Sequence, residues 1–244
     1  KETLIIDPAL NFASFTGATS DNWGYTATYD ASGNAYAGGI SFSGGYPITL
    51  GAYQSNYGGG DIDISISKFS SDGQSLIYST YIGGSGLEAP HSMIVNQKGE
   101  LAIYGVSSSN NYPTSSSAFD KTFNGGTYVG ASNVLEFYSG TDIILTVLNS
   151  NGTNIIGSTY FGGSKNDGLN DADTLSGLYR NYADVYRGEI TLDLNENIVI
   201  ASVTSSSNLP MKNGFQTTFG GGNQDGCIAK FNQNLSNLEW SSFF

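Results

Sequence analysis

Cysteine is almost absent. Cys227 is the single one in 244 residues, so no intrachain disulfide can form and stability has to come from packing and backbone pairing. Histidine is equally scarce, and a thiolate–imidazole couple could only join Cys227 to His91. Each has a plainer reading. A lone cysteine in an apolar strand is packing, and His91, behind Pro90 at the start of an inner strand, reads as a buried structural residue. Charge is sparse and uneven: 12% of residues are charged, 9 basic against 21 acidic, for a net −12. That excess repels a phosphate backbone and an anionic membrane surface, so neither nucleic acid nor membrane insertion is expected. No run approaches the roughly 18 apolar residues of a transmembrane helix. No secretion signal is visible, and the opening Lys1-Glu2-Thr3 is what a mature or excised piece would show.

What remains is 39% hydrophobic and 13% aromatic, enough for a packed core, with a surface left to Ser, Thr, Asn, Gln and Gly. Such uncharged polar surfaces suit extracellular, sugar-rich or adhesive settings. No long stretch has helical periodicity. Alternation such as Ile62-Asp63-Ile64-Ser65-Ile66-Ser67 is a period-two strand pattern.

The chain repeats itself. "STYIGGS" begins at Ser79 and "STYFGGS" at Ser158, with fainter copies at Ala13-Ser14-Phe15 and Ser241-Ser242-Phe243, intervals of 66, 79 and 83 residues. Other phrases travel with it in the same order. "YPITLGAYQSNYGGG" (46–60) matches "YPTSSSAFDKTFNGG" (112–126) and "LPMKNGFQTTFGGG" (209–222). "SKFSSDGQSLIYSTY" (67–81) matches 146–160 and 229–243. Ser32-Gly33, Lys98-Gly99, Asp72-Gly73 and Asn151-Gly152 mark hairpin turns. Each unit therefore reads as four short antiparallel strands; in the first they are 25–29, 35–39, 62–69 and 76–82. The expected fold class is all-β, about three four-stranded blades of a β-propeller. "STY-x-GG" becomes the outermost strand plus a glycine turn into the next blade, where the glycines supply backbone freedom. A phosphate-cradling reading lacks the Lys-Ser/Thr that should follow. Trp23 is expected to pack between blades.

These phrases resemble the bacterial seven-bladed propeller repeat (SBBP repeat) of Bacteroidetes surface proteins. That family carries "D-x-x-GN-x-Y-x-x-G", "FPTT-x-GAFQT-x-GGG-x-D", "K-x-x-x-x-G" and "L-x-YSTYLGG". The counterparts run from Asp30 to Tyr36, from Tyr46 to Asp61, from Lys68 to Gly73 and from Leu76 to Gly84. The third unit departs, since Leu192–Asn197 lacks the turn glycine and Asn234-Leu235 replaces the second one. The resemblance implies a secreted or surface-exposed protein, often adhesin-like, whose relatives carry gliding-motility or type IX sorting domains. It also implies that residues 1–9 are the tail of an upstream domain or linker, and that 10–244 is the propeller segment, with blades near 18–84, 85–163 and 164–244. Three blades cannot close a ring of about four to eight. The rest of the ring is expected from a longer chain or from further copies.

Function is expected on the loop-rich end, where the second-to-third-strand loop and the blade-to-blade passage emerge together. Two insertions fall there, 127–140 and 165–187. The second holds Tyr179, Tyr182, Tyr186 and Asp184, a set that could stack on and hydrogen-bond a sugar, or simply tuck the loop down. Its Asp167, Asp171 and Asp173 could ligate calcium through oxygen, without EF-hand spacing. No other cofactor is expected. Asp173-Thr174-Leu175 resembles the short O-glycosylation motif used by Bacteroidetes, making Thr174 a candidate modification site. The first reading of function is a non-enzymatic scaffold or adhesion module whose partners are surface proteins or glycans. A lectin-like propeller is the alternative, and a glycan-active hydrolase or lyase with carboxylates at the propeller mouth is the second.

Overall fold

The computed structural model describes residues 12–131, 135–170 and 185–244. Among them it contains fourteen strands and no helix. The first sheet runs β1 (Asn22–Tyr29), β2 (Ala35–Ser41), β3 (Asp63–Phe69), β4 (Leu76–Ile82). The second starts with β5 (Glu88–Val95) and β6 (Leu101–Ser107). A two-stranded ribbon, β7 (Val129–Ala131) and β8 (Leu135–Phe137), is then interposed before β9 (Asp142–Leu148) and β10 (Ile155–Phe161) complete that sheet. The third comprises β11 (Glu189–Leu192), β12 (Ile198–Thr204), β13 (Asp225–Phe231) and β14 (Leu238–Phe243). All three large sheets are antiparallel meanders, so each is a blade. Their first strands meet, β1 against β5 and β5 against β11, and the sheets stand side by side.

The blades bury their faces on one another. Tyr36, Ile64, Ile66 and Tyr78 of the first pack with Met93, Ile103, Ile144 and Tyr160 of the second. Tyr104, Leu145 and Phe161 of the second pack with Ile200, Phe231 and Phe243 of the third. The middle strands of the central blade are covered on both faces, so β6 and β9 are buried at all seven positions, whereas β12 and β13 of the third blade alternate. Trp23 lies outside these interfaces: it is 37% exposed and meets Phe42 edge-on at 4.9 Å.

The hairpins explain the turn phrases. Asp30 accepts from the backbone N–H groups of Ser32 and Asn34, both at 3.0 Å, and Gly33 takes φ +78°. Asn96 and Asp193 repeat this accepting role in the next two blades. Where the third blade lacks glycines, the geometry persists. Glu196 has φ +61° and Leu235 φ +58°, matching Gly33 and Gly99, and Gly73 and Gly152, respectively. Buried Leu235 offsets that strain by packing. The first and third blades also pair their turn acid with a lysine, Asp30 with Lys68 at 3.0 Å and Asp193 with Lys230 at 2.6 Å. The second has Asn96 and Val147 in those places, so acid and base disappear together.

Every letter of "STY" clasps the long loop of its blade. Ser79 Oγ bonds Ser67 Oγ at 3.1 Å, which meets the Tyr46 hydroxyl at 2.9 Å. Thr80 Oγ1 accepts from Gln54 N–H at 3.0 Å, and the Tyr81 hydroxyl accepts from Tyr46 N–H at 2.9 Å. Ser158, Thr159 and Tyr160 make the same contacts to Thr146, Asp120 and Tyr112. In the third blade Phe243 and Leu209 replace the tyrosines, and the serines carry the clasp through Lys212 and Gln216.

Candidate functional site

Each third strand opens on an aspartate that accepts backbone N–H groups from the long loop before it. Asp63 accepts from Gly58, Asp142 from Asn124 and Gly125, and Asp225 from Gly220. A second acid follows each glycine pair. Glu88 accepts from Gly84 N–H at 3.0 Å, Ser107 Oγ at 2.6 Å and Ser109 Oγ at 2.5 Å. Asp167 accepts from Gly163 N–H at 2.6 Å, Ser206 Oγ at 3.0 Å and Thr204 Oγ1. Two buried carboxyl pairs result, Asp63 with Glu88 and Asp142 with Asp167. Burial pushes Asp63 and Asp142 up to about 8 and Asp167 up to about 6; Glu88 is raised by the same cause.

The glycine pairs serve these acids. None of Gly83, Gly84, Gly162 and Gly163 has a positive φ, so the expected need for backbone freedom is not the reason. The need is space. A Cβ on Gly83 would lie 2.2 Å from Asp63 Oδ1, and one on Gly162 would lie 2.4 Å from the Asp142 carboxyl.

Above the first pair, at the loop-rich end, a cleft of about 480 Å³ opens between the first two blades. Its walls are the ends of the two long loops and the passage from β4 to β5, with Asp61, Ser85, Ser108, Asn110 and Tyr138 among the lining. The ribbon β7–β8 forms one rim. Val129, Leu135 and Phe137 point down onto Ile40, Ile62, Leu87 and Val106 and are buried. Glu136 and Tyr138, and Tyr128 across from Tyr138, point out. Tyr138 is 66% exposed and Tyr128 54%, their centroids 5.8 Å apart. Both hydroxyls donate to the Glu136 carboxylate, Tyr128 at 3.2 Å, so one acid holds both rings. The alternation Leu135-Glu136-Phe137-Tyr138 was the signal for this ribbon, but it is too short to stand out in sequence.

The sites expected in 165–187 fare differently. Tyr179, Tyr182, Asp184, Asp171, Asp173 and Thr174 lie outside the described residues. Tyr186 is buried, its ring edge-on to Tyr25 at 5.4 Å and to His91 at 5.5 Å. Asp167 is fully buried with hydroxyl and amide donors around it, as above. Among the described residues no group of three or more His, Cys, Asp or Glu is placed to hold a metal. His91 is buried and neutral, held down to about 3 by burial, and neither ring nitrogen has a hydrogen-bond partner among the described residues. Cys227 is therefore not its partner, and burial raises that thiol well above its ordinary range.

A scan against protein-family models finds no match for this chain, and a search of the curated proteins finds none.

Proposed function

We propose that this chain is a non-enzymatic scaffold or adhesion module of a secreted or outer-surface protein, part of a larger SBBP-type propeller, contacting surface proteins or glycans through its loop-rich end. The observation that carries it is the pair of outward-facing tyrosines beside an open polar cleft, held on a stiff three-sheet frame. Other large apolar side chains such as Tyr29 and Phe215 are exposed too, but these two rings are held by one carboxylate beside a cleft, and contact residues are often of this kind. The repeat phrases support the kinship, and the low charge supports the extracellular setting.

The test uses beads carrying the chain, flowed over surfaces coated with neutral polysaccharides or with protein. Folded chain should retain beads well beyond heat-unfolded chain on at least one coat. Equal retention on every coat would count against adhesion. Release of reducing ends from the same polysaccharides would instead favour the glycan-active enzyme.

A further inference from the structure

We propose that the cleft between the first two blades binds the end of a neutral, hydroxyl-rich glycan, with Tyr138 as its stacking ring and Tyr128 beside it. This rests on the adhesion reading and gives that module a ligand class.

The shape fits. About 480 Å³ lies within the usual range of small-molecule sites, roughly 300–1,000 Å³, with room for a sugar ring and its hydroxyls. The aromatic component fits as well. Sugar rings present C–H groups on one face, and these pack against the electron-rich face of an aromatic ring. Tyr138 lines the cleft with most of its surface open, and Tyr128 stands beside it, the centroids 5.8 Å apart and the planes tilted by 44°. The apolar underside of the ribbon is buried, and Glu136 fixes both hydroxyls, so little ordering remains to be lost on binding.

The polar lining completes the match. The side chains of Asp61 and Asn110 make no hydrogen bond to any described residue and line the same cleft as Tyr138. Ser108 Oγ accepts from Leu87 N–H at 2.9 Å, which leaves its own proton to donate. A carboxylate acceptor, an amide offering both functions and a hydroxyl are what adjacent sugar hydroxyls require. Charge narrows the class. With Asp61 in the cleft, Glu136 on the rim and a net −12 overall, sulfated or uronic-acid sugars are repelled. A cationic peptide would meet the Asp61 carboxylate among neutral groups, with Glu136 already accepting from both tyrosine hydroxyls, a poorer fit than a polyol.

The experiment is saturation-transfer NMR with titration calorimetry on the intact chain, using tetrasaccharides of glucose, mannose and xylose, an oligogalacturonate and a lysine-rich peptide. At least one neutral tetrasaccharide should bind. Tyr138→Ala and Asp61→Ala should each weaken it by about tenfold, while Tyr138→Phe, which keeps the ring, stays within about threefold. Both positions are at the surface, and circular dichroism checks that each variant is folded. No binding by any neutral sugar, binding unchanged by Tyr138→Ala, or binding of the oligogalacturonate or peptide alone would overturn the proposal. If beads adhere but sugars fail, the glycan assignment falls and adhesion stands. If beads do not adhere either, both fall.

Discussion

The carboxyl groups of Asp63 and Glu88, from neighbouring blades, meet over the bare Cα of Gly83. A Cβ there would lie 2.2 Å from Asp63 Oδ1 and 2.9 Å from Glu88 Oε2. Two like-charged groups out of water cannot both ionise without cost, so the fold retains protons that the unfolded chain would release.

That retention sets the pH dependence of stability. The unfolded acids titrate near 4, whereas Asp63 and Asp142 hold protons up to about 8 and Asp167 up to about 6. The folded state therefore binds more protons between about pH 4 and 8, and stability falls as pH rises through that window. His91, held down to about 3, acts oppositely below its ordinary value of 6.5, but it is one group against four. In stronger acid the balance reverses. Burial pushes Asp30 up, but its bonds to Asn34 and Lys68 outweigh burial and hold it at about 2, so its contribution is lost as pH falls from about 4. Calorimetry should give a Tm several degrees lower at pH 8.5 than at 5.5. Asp63→Asn, which keeps the acceptor for Gly58, should flatten that dependence. A Tm that holds or rises toward 8.5 would mean the acids are ionised inside the fold.

Gly83→Ala and Gly162→Ala should each destabilise by about 1–3 kcal/mol, as overpacking does in a close-packed site. Gly44→Ala is the control, because a Cβ there meets nothing within 4 Å and its φ is not positive. Urea titration of the three variants reads the difference. Equal midpoints would dismiss close approach as the reason for the glycine pairs.

Tyr81→Phe removes the acceptor of the buried Tyr46 N–H while keeping the ring. Leaving that donor unmatched should cost about 1–3 kcal/mol. The third blade already carries Phe243 there, and Phe243→Tyr should give no matching gain, since the Leu209 N–H already donates to the Ser206 carbonyl at 3.3 Å and Gln216 holds the loop. Thermal melts of both variants check the asymmetry.

Leu235 separates side-chain packing from backbone strain. Both Leu235→Ala and Leu235→Gly lose a buried side chain, but only glycine tolerates φ +58° freely. Leu235→Gly should be more stable than Leu235→Ala by roughly 1 kcal/mol, the reverse of the usual order within regular structure. Chemical denaturation of the pair decides it.

The sequence alone determined the four-strand unit and its threefold recurrence. Period-two alternation and turn residues are local properties, and a strand buried on one face or both must display them wherever the chain goes next. Asp30-x-x-Gly33 closes a hairpin within a few residues, so it too is readable, and the substitutes Glu196 and Leu235 follow the same turn because their flanking strands are already paired. Tertiary structure decided the rest. Nothing in "STYIGGS" announces that its glycines make room for Asp63, which lies 20 residues earlier in the chain. Tyr186 sat in the segment richest in acids and aromatics, yet it is buried against His91 and Tyr25. Tyr128 and Tyr138, in a plainer stretch, turn to solvent beside the cleft, because Leu135 and Phe137 between them claim the core side of the ribbon. Which side chains share a cleft depends on how blades stack, and stacking is set by the summed burial of whole sheet faces rather than by any short phrase.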